Sequence, residues 1–408
     1  MSILGFRHKD AYLEKRKHLF RLELERSKDK RREVMKIGNS TLFAAFVFVS
    51  GLAFLLPPLW AASAPDRQQL LNSLIEEAQK EGELVVWGIS SLGDDGAKAY
   101  GEAFKARFGL NNLRFKYDTA GATGEKFSRA VMETQMGLPA SHDAMYAPEH
   151  RVISLIAKGG VEAIEQWETL LPEGVDPKYA SPPVVAGKAF TFATRANGII
   201  YNTKLLSPKD VPLTTKDVGQ SKYKGKFYTA PWTTYVNYGI LVYPKEEWLE
   251  IMRAWGRNKV STIRSRGGIE RMMLGEFAFE PFSNTYYYFQ FKSKGDPVGV
   301  AFFRDVVPLS VQMHIVRKKA PHPSAAKLFT LWATGPEAVQ IFEKYSWTPN
   351  MYLKDSRIGH EEATLIKQRG AKVVTWFDNK ETLDQLMWFT TKEGEAYEEE
   401  IGKALKLK

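Results

Sequence analysis

The sequence predicts an α/β protein built on parallel sheet, with an apolar export or anchor segment ahead of it. Three observations carry this. Strand, loop and helix follow one another twice within residues 84–136, the pattern of parallel strands joined by crossover helices. A second αβ block begins near residue 189. The chain has 408 residues, 44% of them hydrophobic and 25% charged. That is room for two ordinary domains of roughly 100–200 residues, each with a real core.

Taken in order, residues 68–81 (QQLLNSLIEEAQKE) show helical periodicity and stop at Gly82. Residues 84–88 (LVVWG) read as a buried strand, 89–96 as a polar loop and 97–108 as a helix. The acidic pair Asp94-Asp95 before that helix reads as its N-cap. Residues 113–117 alternate as a strand, 118–124 form a loop and 125–136 a helix. In parallel sheets ligands bind beyond the carboxyl ends of the strands, where helix N-termini offer free N–H groups. The loops 90–95 and 119–124 stand at such ends. Residues 189–201 read as one or two strands with a central bend, and 222–228 lead into Pro231-Trp232-Thr233-Thr234. Helices are predicted at 246–256, 268–274, 324–334 and 336–345, a strand at 306–316, and a charged tail ending in a helix at 395–407. Pro323 restricts the residue before it, and Ser324 is placed to cap the helix that follows.

Ahead of this domain, 37–64 carry no charge for 28 residues, enough to span a bilayer. The flank before it is basic and the flank after it is not, so everything beyond residue 65 is expected outside the cytoplasm. Arg31-Arg32 fits a twin-arginine export signal and an ordinary basic flank equally. Ala62-Ser63-Ala64 has a small-x-small cleavage pattern, but Pro65 opposes cutting, which favours an uncleaved anchor over residues 41–63. Residues 1–36 form a basic cytoplasmic region with amphipathic helical spacing.

The net charge of +10 sits mainly there: residues 1–36 hold twelve Lys/Arg and six Asp/Glu, leaving about +4 for the rest. No dense basic run or nucleic-acid module follows, so nucleic acid is not an expected partner. The chain has no cysteine, which excludes disulfides, thiolate catalysis, thiolate zinc sites and iron–sulfur clusters. No catalytic triad order, phosphate-cradling loop or HxxxH spacing stands out, and no enzyme activity or resident cofactor is expected. His142 and His150 lack metal-ligand spacing and read as lone surface histidines.

Several segments, in order and spacing, resemble the extracellular solute-binding protein family of bacterial ABC importers, especially its ferric-ion-binding branch. They are GELVVWGISS with AKAYGEAFKARFG, then GIIYNTK at 198–204, YKGK at 223–226, NTYYY at 284–288, GDPV at 295–298 and APHPSAAKLF at 320–329. The resemblance covers roughly residues 80–350. It implies a two-lobed periplasmic-binding-protein type II fold with two crossover hinge strands closing over a ligand. Lobe I is expected at 80–190 plus 317–365, lobe II at 191–316, and 366–408 as a helical extension packing on the lobes. A monomer is implied, capturing a small solute and delivering it to a membrane permease. The alternative is a membrane-anchored accessory or sensor subunit with the same fold.

In the ferric branch two adjacent tyrosines ligate iron, and Tyr286-Tyr287 occupy the matching place. Phenolate oxygen suits Fe(III) as a transported ligand. That branch also carries a histidine after its first strand, where Trp87-Gly88-Ile89-Ser90-Ser91 stand instead. For a small organic or anionic solute, Ser90, Ser91, Thr119, Thr123, Thr233 and Thr234 offer hydroxyls, joined by the backbone N–H of Gly121. The same hydroxyls equally serve turns and caps. Asn284 opens the ligand-side segment. Arg195 suits a carboxylate or phosphate, or a structural ion pair near the hinge. Trp232 and Tyr286 offer stacking faces, and Trp87 reads as core.

Overall fold

The computed structural model describes residues 66–120 and 123–407. The apolar and basic segments predicted over residues 1–64, and the Gly121 backbone, lie outside the described residues. Among the described residues no helix is long and apolar enough to cross a membrane.

Helix α1 (Arg67–Glu81) ends on Gly82 in the left-handed region at φ 70°, which only glycine adopts without cost. Strand β1 (Glu83–Trp87) follows, then helix α2 (Gly93–Phe108), strand β2 (Arg114–Asp118), helix α3 (Thr123–Gln135), strand β3 (Ala144–Pro148) and helix α4 (Glu149–Ala157). β1 pairs in parallel with both β2 and β3. The predicted polar loop is thus shorter than expected, because α2 already begins at Gly93. Asp94 and Asp95 sit in its first turn and not at its N-cap, where their charge still favours the positive helix end.

Strand β4 (Val161–Glu162) is brief. β5 (Phe190–Asn202) is one continuous strand rather than two, and the bend is taken up by register shifts in its pairing. Next come β6 (Tyr228–Thr229), α5 (Lys245–Asn258), β7 (Ser261–Thr262), α6 (Ser265–Met273), β8 (Phe279–Asn284), α7 (Tyr286–Lys292) and β9 (Val298–Ala301). Strand β10 (Val307–Arg317) is buried along its full length. After it come α8 (Pro323–Trp332), α9 (Pro336–Ser346), α10 (Arg357–Arg369), β11 (Val373–Val374), α11 (Lys380–Trp388) and α12 (Lys392–Ala404).

The sheet runs β2-β1-β3-β10-β5-β8, with β4 and β11 added to β10 and β9 to β5. β5 changes partners along its length. Phe190 to Ala196 pair with β10, whereas Asn197 to Asn202 pair with β8 and β9. One core gathers around Tyr100, Phe104, Phe329 and Trp332, another around Trp248, Trp255, Phe279 and Phe303. Strands β5 and β10 are therefore the elements common to both halves of the sheet. Gly198 lies where β5 passes between β8 and β9, and a Cβ there would stand 2.7 Å from the Ala301 carbonyl oxygen.

Two local expectations are corrected. Ser324 does not cap α8. The Glu81 carboxylate of α1 accepts from the backbone N–H of Ser324 and of Ala325, while the Ser324 hydroxyl donates to Glu77. A carboxylate from a neighbouring helix satisfies the free N–H groups that a local cap would have taken. His142 is buried rather than on the surface; it stacks on Trp87 with ring centroids 3.5 Å apart and meets Nη1 of Arg317 at 3.1 Å.

The C-terminal segment is helical, as its composition suggested. α12 packs on α5: the Tyr397 hydroxyl donates to the Lys245 carbonyl at 2.7 Å, and the Lys245 ammonium stands 3.2 Å from the Trp388 ring centre. Residue 366, where this extension was expected to begin, falls inside α10.

Candidate functional site

β5 and β8 end their pairing at Asn197 opposite Asn284, and the chain turns at once into α7. This turn puts Tyr286 beside Arg195, whose guanidinium lies 5.5 Å from the tyrosine ring centre. Tyr287 follows with its ring 4.2 Å from that of Tyr286. Burial raises the phenol pKa of both tyrosines, with Arg195 pulling in the opposite direction. Thr285 fixes the turn: its hydroxyl meets the Ala196 carbonyl at 3.0 Å and the carboxyl group of Glu362 from α10. Burial pushes the Glu362 pKa up to about 8, so it is protonated at neutral pH. It can then donate to Thr285, whose single hydrogen is left for Ala196.

Tyr146 of β3 and Tyr235, just past the Pro231–Thr234 turn, also stand near Arg195. The Tyr146 hydroxyl donates to Oε1 of Gln312 at 2.7 Å, and Gln312 in turn donates to Ser310, the register partner of Arg195. A second guanidinium, that of Arg151 in the first turn of α4, also lies near Tyr146 and stands over the Phe127 ring at 5.5 Å. Burial works against its charge and lowers its pKa.

The electrostatics turn on Arg195. Its Nε is sealed from solvent with no hydrogen-bond partner, and no carboxylate pairs with it among the described residues. Arg317 of β10 shows the contrast. It donates to the Ala130 carbonyl at 2.9 Å and pairs with Glu133 at 3.5 Å. Arg195 is half-buried, and a partly desolvated cation without a counter-charge carries a cost that an anion bound beside it relieves.

Of the expected site residues, Arg195, Asn284, Tyr286 and Tyr287 are brought together. Asn284 is buried with Oδ1 unpartnered. Ser90 and Ser91 form the short turn after β1; Ser90 is exposed, and the Ser91 hydroxyl is buried without a partner. The Thr119 hydroxyl donates to Asp94 at 3.3 Å, a turn-making contact. Thr123 opens α3. Thr233 is already engaged by the Glu398 carboxylate of α12, whereas Trp232 is 37% exposed. Trp87 is core, as expected, with the Lys126 and Arg129 cations each 5.9 Å from its ring centre. Sequence reasoning missed Tyr146, Arg151 and Tyr235. The available signal was position: the first two flank the carboxyl end of β3, the kind of strand end where ligands bind.

With this geometry in place, the comparisons are decisive at the level of class. The model of the bacterial extracellular solute-binding protein family matches residues 99–351. The chain belongs to that family, whose members supply the solute-binding components of ABC transporters. Solved structures agree on the fold. Iron-bound HitA from Pseudomonas aeruginosa is similar over 78% of this chain and 99% of its own, at 18% identity and a TM-score of 0.62. A Trichodesmium protein, IdiA (FutA), in complex with iron and citrate, is similar over 76% and 98%, at 18% identity and TM-score 0.58. The spermidine/putrescine ABC transporter substrate-binding protein PotD from Streptococcus pneumoniae is similar over 78% and 99%, at 15% identity and TM-score 0.57. No curated protein matches the chain.

Proposed function

We propose that this family member captures a small anionic solute against Arg195 and Arg151, between the tyrosines of β3 and α7, and delivers it to an ABC permease in the membrane. The observation that carries the reading is the Arg195 guanidinium with buried Nε and no carboxylate partner among the described residues. An incoming carboxylate or phosphate supplies the missing counter-charge, and a planar guanidinium fixes its orientation by paired hydrogen bonds. Tyr286, Tyr287, Tyr146 and Tyr235 add hydroxyls and aromatic walls. The lobes proposed for 80–190 plus 317–365 and for 191–316 would close on the solute about β5 and β10, the ligand favouring the closed state. Residues 41–63 would hold the protein on the outer face of the cytoplasmic membrane.

A ferric ion carried together with a carboxylate anion is the second reading, favoured by the adjacent Tyr286 and Tyr287 rings. Bare Fe(III) fits less well, because Arg195 opposes a cation and burial disfavours both phenolates. The two readings part in a thermal-shift screen of the full-length protein in detergent against citrate, inorganic phosphate, Fe(III)-citrate and a neutral sugar. A ligand held only by the folded state stabilises it by ~2.7 kcal/mol at a hundredfold excess over its Kd. Stabilisation by citrate or phosphate alone supports the anion reading. Stabilisation by Fe(III)-citrate alone, with tyrosinate-to-iron absorption, replaces it with the ferric one.

A further inference from the structure

Residues 376–398 lie beyond the span matched by the family model, and they wall one side of a cavity of about 190 Å³. Trp376, Phe389 and Glu398 line it from the C-terminal segment; Glu149, Thr234 and Asn237 line it from the body. It shares no lining residue with the Arg195 cluster.

Its chemistry is the reverse of that cluster. No lysine or arginine lines it, and its acidic side chains are Glu398 and Glu149, the latter pushed up to about 7 by burial and already accepting from the Tyr238 hydroxyl and the Val311 N–H. The Glu398 carboxylate accepts from the Thr233 hydroxyl and from Nδ2 of Asn237, the latter at 3.0 Å. Asn237 itself is 7% exposed, and its Oδ1 is buried without a partner. The one basic side chain at the wall is His150, whose pKa is lowered by partial desolvation and the nearby Arg151, against the opposite pull of Glu398. The Trp376 and Phe389 rings stand edge to face with centroids 6.1 Å apart, offering π surface to a cation. Among the described residues no trio of metal-ligating side chains is present, so the acceptors here are not arranged as a metal site.

We infer that this chamber is a binding site for a small organic ammonium group, separate from the anion site at Arg195. The ammonium donates to the Glu398 carboxylate, which the Asn237 Nδ2 donor holds at the wall, and its alkyl part lies against Trp376 and Phe389. Acceptors that are partly desolvated and aromatic faces together favour a cation over a neutral or anionic group.

Calorimetric titration of the full-length protein in detergent with putrescine and with propylammonium, the neutral butane-1,4-diol serving as control, tests the inference. Saturable binding of the amines and not of the diol is expected. Glu398→Gln keeps an acceptor for Thr233 and Asn237 but removes the charge, and is expected to weaken amine binding at least about tenfold. Thr390→Trp narrows the chamber from its wall and is expected to do the same, giving a second readout if the first variant misfolds. Arg195→Gln is expected to leave the amine affinity at the wild-type value. Absence of saturable amine binding, equal affinity in both chamber variants, or loss of amine binding in Arg195→Gln would each overturn the inference.

Discussion

At the scale of single residues, Arg195 and Glu362 set the character of the site. Arg195 carries charge without a protein counter-charge, so replacing it with a neutral side chain removes a cost from the fold and a partner from the ligand. Arg195→Gln is therefore expected to raise or preserve the melting temperature while abolishing anion affinity, and thermal denaturation read beside ligand titration checks both. Glu362 acts through Thr285 on the turn that presents Tyr286 and Tyr287. Its raised pKa gives a defined pH dependence. With a folded value of about 8, above the ordinary carboxylate range, its contribution is complete at low pH and is lost as pH rises through 8. Glu149 and Glu280, each pushed up to about 7 by burial, act in the same direction. Between pH 6.5 and 8 the melting temperature is expected to fall, and Glu362→Gln is expected to flatten its share of the slope. His314, held neutral by burial with a pKa of about 3, acts oppositely but only below about pH 6.5, the unfolded histidine value.

At the scale of elements, two contacts invisible in local sequence determine how helices and strands meet. The Glu81 carboxylate of α1 caps α8 from outside. Glu81→Ala is expected to cost about 1 kcal/mol, the usual worth of a cap, measurable as a shift in denaturant midpoint without change in slope. Gly198 admits the close passage of β5 beside β9. Gly198→Ala is expected to destabilise by about 1–3 kcal/mol, as an overpacked buried site does, or to be expressed misfolded. The strands and most helices were legible because apolar periodicity is a local property: α1, β1, β10 and α9 fall within a residue or two of the expected places. The start of α2 was not, since Gly93 is a poor helix former held at φ 66°, and it is Gly96, one turn into the helix, whose Cα face packs close against Leu92 and Tyr345. The cap by Glu81 joins residues 243 or more positions apart, which no local motif encodes.

At the scale of the whole molecule, the solute-binding family was readable from short segments in a fixed order, because those segments are the strand ends and turns that the fold reuses. The site was half readable. Arg195 and the tyrosine pair come from segments with recognisable order, whereas Tyr146, Arg151 and Tyr235 reach the same place only through the three-dimensional meeting of β3, α4 and the turn after β6. The hydroxyls of Thr119 and Thr233 were plausible ligand donors by type, but Asp94 and Glu398 take them. The departure from the ferric pattern after β1 is consistent with what stands beside the tyrosine pair here: the Arg195 guanidinium faces Tyr286, and Tyr287 lies near both Glu280 and Arg266.

The most direct test of the anion reading is a calorimetric titration of the full-length protein in detergent with citrate, wild type against Arg195→Gln. Saturable binding by the wild type, weakened by at least about tenfold in the variant with its thermal stability intact, is the predicted result. Equal citrate affinity in the two proteins would contradict it and remove Arg195 from the centre of the site.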